Sequence, residues 1–309
     1  MKFGIQTSID KTDWPQLSDF WRFLDTQTGY HSAWTYDHFV PPTTDPNGPC
    51  FEGWTALAGL AALTSRLQLG CLVSGVTYRN PALLGKMAVT VDHISNGRLV
   101  MGIGAAWHQA EHHFYGWDFP PVRERQDRLE EAAQILKVML SDQGPLDFQG
   151  RHYQVNAAPV LPPGIQTPIP LMIGGGGEKR TLGTVARYAD VTNVAGTPAE
   201  VKHKFEVLEQ HCRDVGRNFD EIERSIQSPL VVTDREDLAD RVAGGMGAPR
   251  GMSPAEARKE FPVGRPEEVR EVLRKYEDAG VQHVIQMSQG PWKEEIYKRI
   301  SDDVIAHFT

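Results

Sequence analysis

The amino-acid sequence predicts an α/β fold, a single (β/α)8 TIM barrel with loop insertions. Short apolar or β-branched segments alternate with longer amphipathic segments along the 309 residues, and this alternation repeats eight times. Apolar strands separated by helices are typical of a parallel sheet covered on both faces. The length is normal for one barrel. No internal repeat or convincing linker divides the chain, so we expect residues 1–309 to form a single domain.

The first half of the chain supplies four strand–helix units. Pro81 suits the first turn of a helix, and Asn96-Gly97 indicates a turn before the fourth strand. A Pro/Gly-rich loop from Val40 to Gly53 follows the second strand. The predicted pairs are Phe3–Thr7 with Trp14–Thr28, Ser32–Asp37 with Trp54–Ser65, Leu67–Ser74 with Pro81–Ile94, and Leu99–Gly104 with Val122–Ser141.

The second half supplies four more units and two insertions. Leu146–Val155 is typical of a small hairpin that turns at Gln149-Gly150. The connection 233–262 contains two short helical patterns, which Gly244-Gly245 and Pro249 interrupt. The predicted pairs are Pro170–Gly174 with Glu178–Tyr188, Asp190–Ala195 with Pro198–Val215, Ser225–Val232 with Pro266–Ala279, and His283–Ser288 with Trp292–His307.

Composition excludes several classes of protein. A net charge of −8 argues against nucleic-acid binding, which needs a concentrated basic face. No apolar segment approaches the roughly 18 residues of a membrane helix. Cys50, Cys71 and Cys212 are odd in number and far apart, so they predict neither a disulfide framework nor a Cys-X-X-Cys metal site. Without a signal-peptide pattern, the chain is expected to be cytoplasmic and to act on a small molecule, with no nucleic-acid or membrane partner.

Polar residues directly after the predicted strands are the candidate site, because barrel active sites lie at the carboxyl ends of the strands. Asp37 and His38 follow strand two. A carboxylate beside an imidazole can serve as an acid/base element, since histidine titrates near neutrality. The alternative is a loop cap, in which Asp37 bonds the backbone and His38 lies on the surface.

The segment after strand four, Gly102-Ile-Gly104, resembles half of a dinucleotide fingerprint but lacks its third glycine and downstream acid. Trp107 offers an aromatic wall at the barrel mouth, and Glu111 follows one helical turn later. Adjacent histidines point in different directions and no carboxylate-rich partner is evident, so we predict no metal site. The histidines concerned are His108, His112 and His113.

The sharpest local signal is the four-glycine loop Gly174–Gly177, between an apolar strand and a helix. Such a loop exposes backbone N–H groups at a positive helix end, which favours a phosphate or another anion. Lys179, Arg180 and the Thr181 hydroxyl could add donors. The loop lacks the Gly-Lys-Ser/Thr of a Walker A motif. The alternative is a flexible strand-to-helix turn without a ligand.

Several segments in chain order carry a family resemblance: Trp34–Phe39, Gly75–Pro81, Asp92–Leu99, Gly102–Gly104, Ile173–Leu182, Val263–Val269 and Ala279–Val284. Together they resemble the luciferase-like monooxygenase superfamily, and within it the F420-dependent oxidoreductase branch. The resemblance covers nearly the whole chain.

The resemblance implies that the barrel binds coenzyme F420, or alternatively FMN, with its ring at the strand ends. It implies a non-proline cis peptide bond after strand three, for which Leu72-Val73 is the best match. Asp37 and His38 match the family's Asp-His pair, so His38 is the expected proton donor or acceptor. The residues expected to contact the cofactor are Asp37, Leu72, Val73, Ser74, Gly104, Ala105, Ala106, Trp107, Gly174, Gly175, Gly176, Gly177, Lys179 and Thr181.

Two positions depart from the sugar-phosphate-oxidising relatives of that branch. Trp107 occupies the place of their acidic residue, and Pro41-Pro42 stand where they carry a tryptophan. We therefore do not predict sugar-phosphate oxidation, although Glu111 is a candidate catalytic residue that could replace the missing acid. The leading hypothesis is hydride transfer between F420 and an unidentified small organic substrate, with His38 handling the proton.

Three alternatives stay open. An FMN-dependent two-component monooxygenase of the same superfamily would need a partner flavin reductase. A barrel hydrolase with the paired carboxylates Asp37 and Glu111 would leave the four-glycine loop unexplained. A flavin-binding protein without turnover would leave the Asp-His pair unexplained. The resemblance also favours a homodimer.

Overall fold

Nine parallel strands form the central sheet of the computed structural model, which describes residues 1–43, 45–141 and 143–308. In chain order they are β1 (Lys2–Thr7), β2 (Ser32–Thr35), β3 (Gln68–Cys71), β4 (Ser74–Gly75), β5 (Met101–Gly104), β8 (Leu171–Gly174), β9 (Val191–Val194), β10 (Glu223–Ser228) and β13 (His283–Ser288). Their order in the sheet is β3-β2-β1-β13-β10-β9-β8-β5-β4. Two small sheets complete the strands, the hairpin β6 (Leu146–Gln149) with β7 (Gln154–Ala158), and β11 (Val231–Val232) with β12 (Val263–Gly264).

The sheet curls into a barrel because its two edge strands are parts of one interrupted strand. β3 and β4 are separated by only two residues, and β4 pairs with β5. Leu69 in β3 also bridges Leu99, directly before β5, and its carbonyl accepts from the Val100 N–H at 2.8 Å. Counting β3 and β4 together, eight strands surround the axis. The predicted barrel is confirmed.

Helices cover the outside of the barrel, and local signals define their ends. The Asp13 side chain caps the first helix by accepting from the Gln16 N–H, and Thr197 forms a capping box with Glu200. The α-helices are α1 (Trp14–Gln27), α2 (Gly53–Leu63), α3 (Pro81–Ser95), α4 (Gln109–Tyr115), α5 (Val122–Met139), α6 (Thr181–Tyr188), α7 (Pro198–Val215), α8 (Glu236–Gly247), α9 (Pro254–Ala257), α10 (Pro266–Asp278) and α11 (Glu294–Asp303).

Three local predictions were wrong. The predicted strand Ser225–Val232 breaks after Ser228, because Pro229 has no N–H to donate to the ladder. The helix expected from Glu178 begins at Thr181, so the glycine loop is longer. Helix α8 continues through Gly244-Gly245, where the sequence predicted a break. Packing against α9 favours this course, because Ala239 and Ala243 of α8 form a buried cluster with Ala257.

A cluster of buried side chains fills the inside of the barrel. Trp34 is fully buried in it, and its indole N–H donates to Ser32 Oγ at 2.8 Å. The cluster consists of Trp34, Leu72, Val100, Met172, Val191 and Ile285. Active sites of this architecture lie at the carboxyl ends of the strands. None of the helices in the described ranges is both long and apolar enough to cross a membrane.

Candidate active site

A cavity of about 560 Å³ opens at the carboxyl ends of the strands, which is within the usual size range for small-molecule sites. Its lining comes from the ends of most barrel strands and from the loops that follow them. The predicted site residues on its wall are His38, Leu72, Val73, Gly104, Ala105, Ala106, Trp107, Gly174, Gly175, Gly176, Gly177 and Thr181.

The peptide bond between Leu72 and Val73 is cis and lies at the interruption between β3 and β4. The cis bond predicted from the resemblance is therefore confirmed. The Gln6 side-chain amide donates to the Leu72 carbonyl at 2.6 Å, and Gln227 donates to Gln6 Oε1 at 2.5 Å. The Gln6 side chain of β1 thus holds this peptide, and Gln227 of β10 holds Gln6.

Glycines surround the Val73 side chain. A Cβ on Gly104 would lie 2.8 Å from Val73 Cγ2, and a Cβ on Gly174 would lie 3.1 Å from Cγ1. A Cβ on Gly75 would lie 2.6 Å from the ring of Tyr78. Because these positions carry no side chain, Val73 and bare backbone form this part of the cavity wall, and a flat ring could approach it closely.

His38 and Glu111 are hydrogen-bonded at the cavity wall, although they are 73 positions apart in the chain. His38 Nδ1 lies 2.9 Å from Glu111 Oε1, and the Phe39 N–H donates to Oε2 at 3.0 Å. The Tyr78 hydroxyl also donates to Oε1. The short helix α4 carries Glu111 inward, so its side chain is fully buried while His38 lines the cavity.

The environment of Glu111 keeps it ionised. Burial raises the pKa of this carboxyl, but the hydrogen bonds from His38, Tyr78 and Phe39 outweigh burial, so the pKa lies below its usual value. An ionised carboxylate only accepts hydrogen bonds, so His38 Nδ1 carries a proton. The Nε2 atom then has its lone pair or its second proton available on the cavity side.

Asp37 does not lie on the cavity surface. Its carboxylate is fully buried and accepts from Arg79 at 2.6 and 3.1 Å, and Arg79 also donates to Glu52 at 2.5 Å. Burial raises the pKa of Asp37, while the adjacent guanidinium acts in the opposite direction. Glu52 caps α2. The Asp37–Arg79–Glu52 cluster therefore ties the chain after β2 to α2.

The glycine loop presents unpaired backbone donors to the cavity. Gly175 has a φ of +127°, and its N–H donates to the Asn193 carbonyl at 2.9 Å. The N–H groups of Gly176 and Gly177 donate to no atom of the described residues. The Thr181 hydroxyl, also at the cavity, lies 3.2 Å from Gln126 Oε1. These groups could hold an anion.

The other predicted donors of this loop lie elsewhere. Lys179 is exposed and is absent from the cavity lining. Arg180 pairs with Asp127 at 2.6 Å on the neighbouring helix α5. Ser74, predicted to contact the cofactor, accepts from the Trp54 indole at 2.8 Å behind the wall.

Several residues of the cavity were not predicted from the sequence. Tyr36 donates from its hydroxyl to Asp10 Oδ1 at 2.5 Å, and both side chains line the cavity. The strand-end rule, applied to β1 and β13, would have found the cavity residues at the carboxyl ends of these two strands. They are Ser8, Asp10, Met287, Ser288 and Gln289. The connection 233–262 contributes no described residue to the lining of the cavity.

The structure also brings together three side chains that are able to bind a metal. The ligand atoms of His38, His108 and Glu111 lie within 4.8 Å of one another. His108 Nδ1 is buried without a hydrogen-bond partner among the described residues and lies 3.6 Å from Glu111 Oε1. The absence of a metal from the site stays a prediction.

Comparison with known proteins identifies the family. A family model described as luciferase-like monooxygenase matches residues 1–261, most of the chain. The chain belongs to this family. The resemblance predicted from the motifs is confirmed, and with it the prediction that the chain is an enzyme.

Two relatives and one solved structure show what the chain is similar to. F420-dependent glucose-6-phosphate dehydrogenase of Kineococcus radiotolerans is 27% identical, over 99% of this chain and 96% of its own. Pyrimidine monooxygenase RutA of Escherichia coli is 33% identical over 53% of this chain and 45% of its own. An F420-dependent secondary alcohol dehydrogenase, solved with an F420-acetone adduct, superposes with a TM-score of 0.84 at 19% identity and covers 98% of each chain.

Proposed function

We propose that this enzyme is an oxidoreductase that transfers a hydride between coenzyme F420 and a small organic substrate. The observation that carries the proposal is the His38–Glu111 pair, which offers a proton donor or acceptor on the wall of the cavity that the bare backbone around Val73 also lines. The relative that is matched over nearly its whole length and is named for F420 dependence supports the choice of cofactor.

The residues around the cavity fit a flavin-like cofactor. Bare backbone at Gly104 and Gly174 leaves room beside Val73, and the N–H groups of Gly176 and Gly177 suit a phosphate. When bound there, a deazaflavin supplies the hydride chemistry. The chain would supply orientation, exclusion of water and transfer of the proton.

His38 would move the proton at Nε2, and Glu111 would act through His38 as a positioning residue. Because the Glu111 carboxylate accepts from Nδ1, it fixes the tautomer in which Nε2 can accept a proton from an alcohol being oxidised. In the reverse direction, the doubly protonated ring donates from Nε2 to a carbonyl being reduced. The Tyr78 hydroxyl and the Phe39 N–H hold the carboxylate in place.

The proposal is tested by titrating the apoprotein with F420 and, separately, with FMN. Tryptophan fluorescence reports the binding of each cofactor. Trp107 lies at the cavity and is 61% exposed, so it is positioned to report binding. We expect F420 to bind at least ~10-fold more tightly than FMN, a difference of about 1.4 kcal/mol. Equal or preferential binding of FMN would contradict the choice of cofactor.

The second candidate is an FMN-dependent two-component monooxygenase, favoured by the monooxygenase relative that matches half of the chain. Such an enzyme would need reduced FMN from a partner reductase. Oxygen uptake with reduced FMN and a reductase distinguishes the two: we expect no substrate-dependent uptake. Uptake coupled to a hydroxylated product would establish the second function.

A further inference from the structure

The cavity has two sides with different chemistry. The strand order places β2, β1 and β13 next to one another, while β5 and β8 lie across the barrel. Residues after β5 and β8 form the glycine-rich side described above. We call the opposite side the substrate side; it consists of Ser8, Asp10, Tyr36, Pro42, Thr43, Met287, Ser288 and Gln289.

The substrate side contains no fixed positive charge. Among the described residues that line the whole cavity, none is lysine or arginine. Asp10 is the one acidic residue among the described residues that line the cavity, and it is only 4% exposed. The Tyr36 hydroxyl donates to its Oδ1, and no cationic side chain of the described chain lies within ion-pair distance of it.

A carboxylate buried without a cation is costly unless its acceptor sites are filled. The Tyr36 hydroxyl satisfies one site, and no other hydrogen bond reaches this carboxylate from the described residues, although Asp10 lines the cavity. A ligand that donates an O–H or N–H would fill them, whereas an anionic ligand would meet like charge at short range and find no counter-ion. Tyr36, Pro42 and Met287 add apolar surface beside this carboxylate.

We propose that the substrate side selects an uncharged or cationic organic molecule with a hydrogen-bond donor, that Asp10 accepts from that donor, and that phosphorylated and carboxylated molecules are rejected. This inference rests on the proposed function, because it names the substrate class of the same site. It also gives a physical reason for the departure from the sugar-phosphate pattern noted in the sequence, since the substrate side offers a phosphate a carboxylate and neither a cation nor the backbone donors of the glycine loop.

The test uses three ligands of one shape and different charge: cyclohexylamine, cyclohexanol and cyclohexanecarboxylate. Each ligand is titrated into the full-length protein loaded with F420, at pH 7.5 and constant ionic strength. Isothermal titration calorimetry measures its affinity. We expect the amine and the alcohol each to bind at least ~10-fold more tightly than the carboxylate. A carboxylate that binds as tightly as either, or no binding by all three, would overturn the inference.

Two variants separate charge from shape. Asp10→Asn keeps an acceptor for Tyr36 but removes the charge, so the amine and the carboxylate should then bind within about threefold of each other. Gln289→Arg adds a cation to the substrate side and should strengthen binding of the carboxylate. Asp147→Asn, at an exposed position away from the cavity, is the matched control and should leave the ligand order unchanged. An unchanged order in Asp10→Asn would remove Asp10 from the proposal.

Failure of the proposed function would give a different result. If F420 does not bind at all, the choice of cofactor is wrong, and the three titrations on the unloaded protein still show the charge preference of the cavity. If F420 binds and the carboxylate is preferred, the function stands and the inference about substrate charge fails.

Discussion

At the residue scale, the site depends on how Glu111 holds His38. The sequence identified both residues, but nothing local links positions that lie 73 apart. In the structure the carboxylate accepts from the imidazole, from the Tyr78 hydroxyl and from the Phe39 N–H. Three donors on one carboxylate fix its orientation, so the imidazole has one tautomer and one direction relative to the cavity.

Glu111→Gln should therefore reduce kcat by about 10–100-fold while KM and cofactor binding change little, because an amide can donate as well as accept and no longer fixes the Nδ1 proton. The readout beyond activity is ¹⁵N NMR of the His38 ring. The wild-type protein should show the Nδ1–H form when neutral, and the variant a mixture of tautomers.

Glu206→Gln is the matched control, since Glu206 is exposed on α7 and forms no ion pair with the described residues. It should behave as wild type in both measurements. A Glu111→Gln variant with normal kcat and a single Nδ1–H tautomer would show that the carboxylate does not position His38.

At the element scale, the interruption between β3 and β4 creates the cavity wall. Two residues separate these strands, and the glycines at the ends of β5 and β8 leave room for the side chain of Val73. Glycine at Gly104 is thus required by close approach from a neighbouring strand. The same strand ends carry the backbone proposed to face the cofactor.

Gly104→Ala should lower both stability and affinity for F420. The added Cβ would lie 2.8 Å from Val73 Cγ2, so one strand end must shift, and overpacking of this kind costs about 1–3 kcal/mol. We expect F420 to bind at least ~10-fold more weakly, measured by fluorescence titration, with stability measured by urea unfolding.

The control is Gly245→Ala, at an exposed position inside α8 where an added Cβ meets nothing within 4 Å. Alanine favours a helix over glycine by about 1 kcal/mol, so this variant should be slightly more stable and bind F420 normally. Wild-type affinity in Gly104→Ala would show that the ring does not approach this wall.

At the scale of the whole molecule, the first and the last strand of the barrel pair with each other. β1 pairs with β13 along six residues, and β13 pairs with β10. At the amino ends of these three strands, Glu223 accepts from Lys2 at 2.8 Å and lies 2.9 Å from His283 Nδ1. This cluster lies at the end opposite the cavity, where barrel residues serve stability. We propose that residues 1–309 unfold as one unit.

Glu223→Gln should destabilise the protein near neutral pH and leave kcat unchanged. Burial raises the pKa of Glu223, but His283 and Lys2 outweigh it and lower the pKa from 4.5 to about 2. A depressed carboxyl pKa contributes stability that is present above pH 4.5 and is lost as the pH falls toward 2. The contribution is about 1–3 kcal/mol.

Differential scanning calorimetry at several pH values measures this effect. The melting temperature of the variant should lie below that of the wild type at pH 7, and the gap should narrow between pH 4.5 and the lowest pH at which the protein stays folded. Glu271→Gln, exposed on α10, is the control. A difference in melting temperature that does not change with pH would contradict the proposed role of Glu223. Two separate transitions in the wild type would contradict unfolding as one unit.

Much of the fold was predictable because its signals are local. Hydrophobic periodicity, Pro81 and Asn96-Gly97 indicate where helices and strands begin and end, and β13 was predicted with its observed bounds. The break at Pro229 was also present in the sequence and was overlooked. The course of α8 through two glycines was not predictable, because the packing that favours it, between Ala243 and Ala257, involves a separate helix.

The sequence by itself determined the barrel, and through the strand-end rule it identified a set of residues near the cavity that includes His38 and Glu111. Only the tertiary structure decided which of them meet. It paired His38 with Glu111, placed Asp37 behind the wall against Arg79, left Lys179 in solvent and brought Asp10 into the cavity. The physical reason is that periodicity reports burial within one segment, whereas the direction of a loop side chain depends on packing against segments far along the chain.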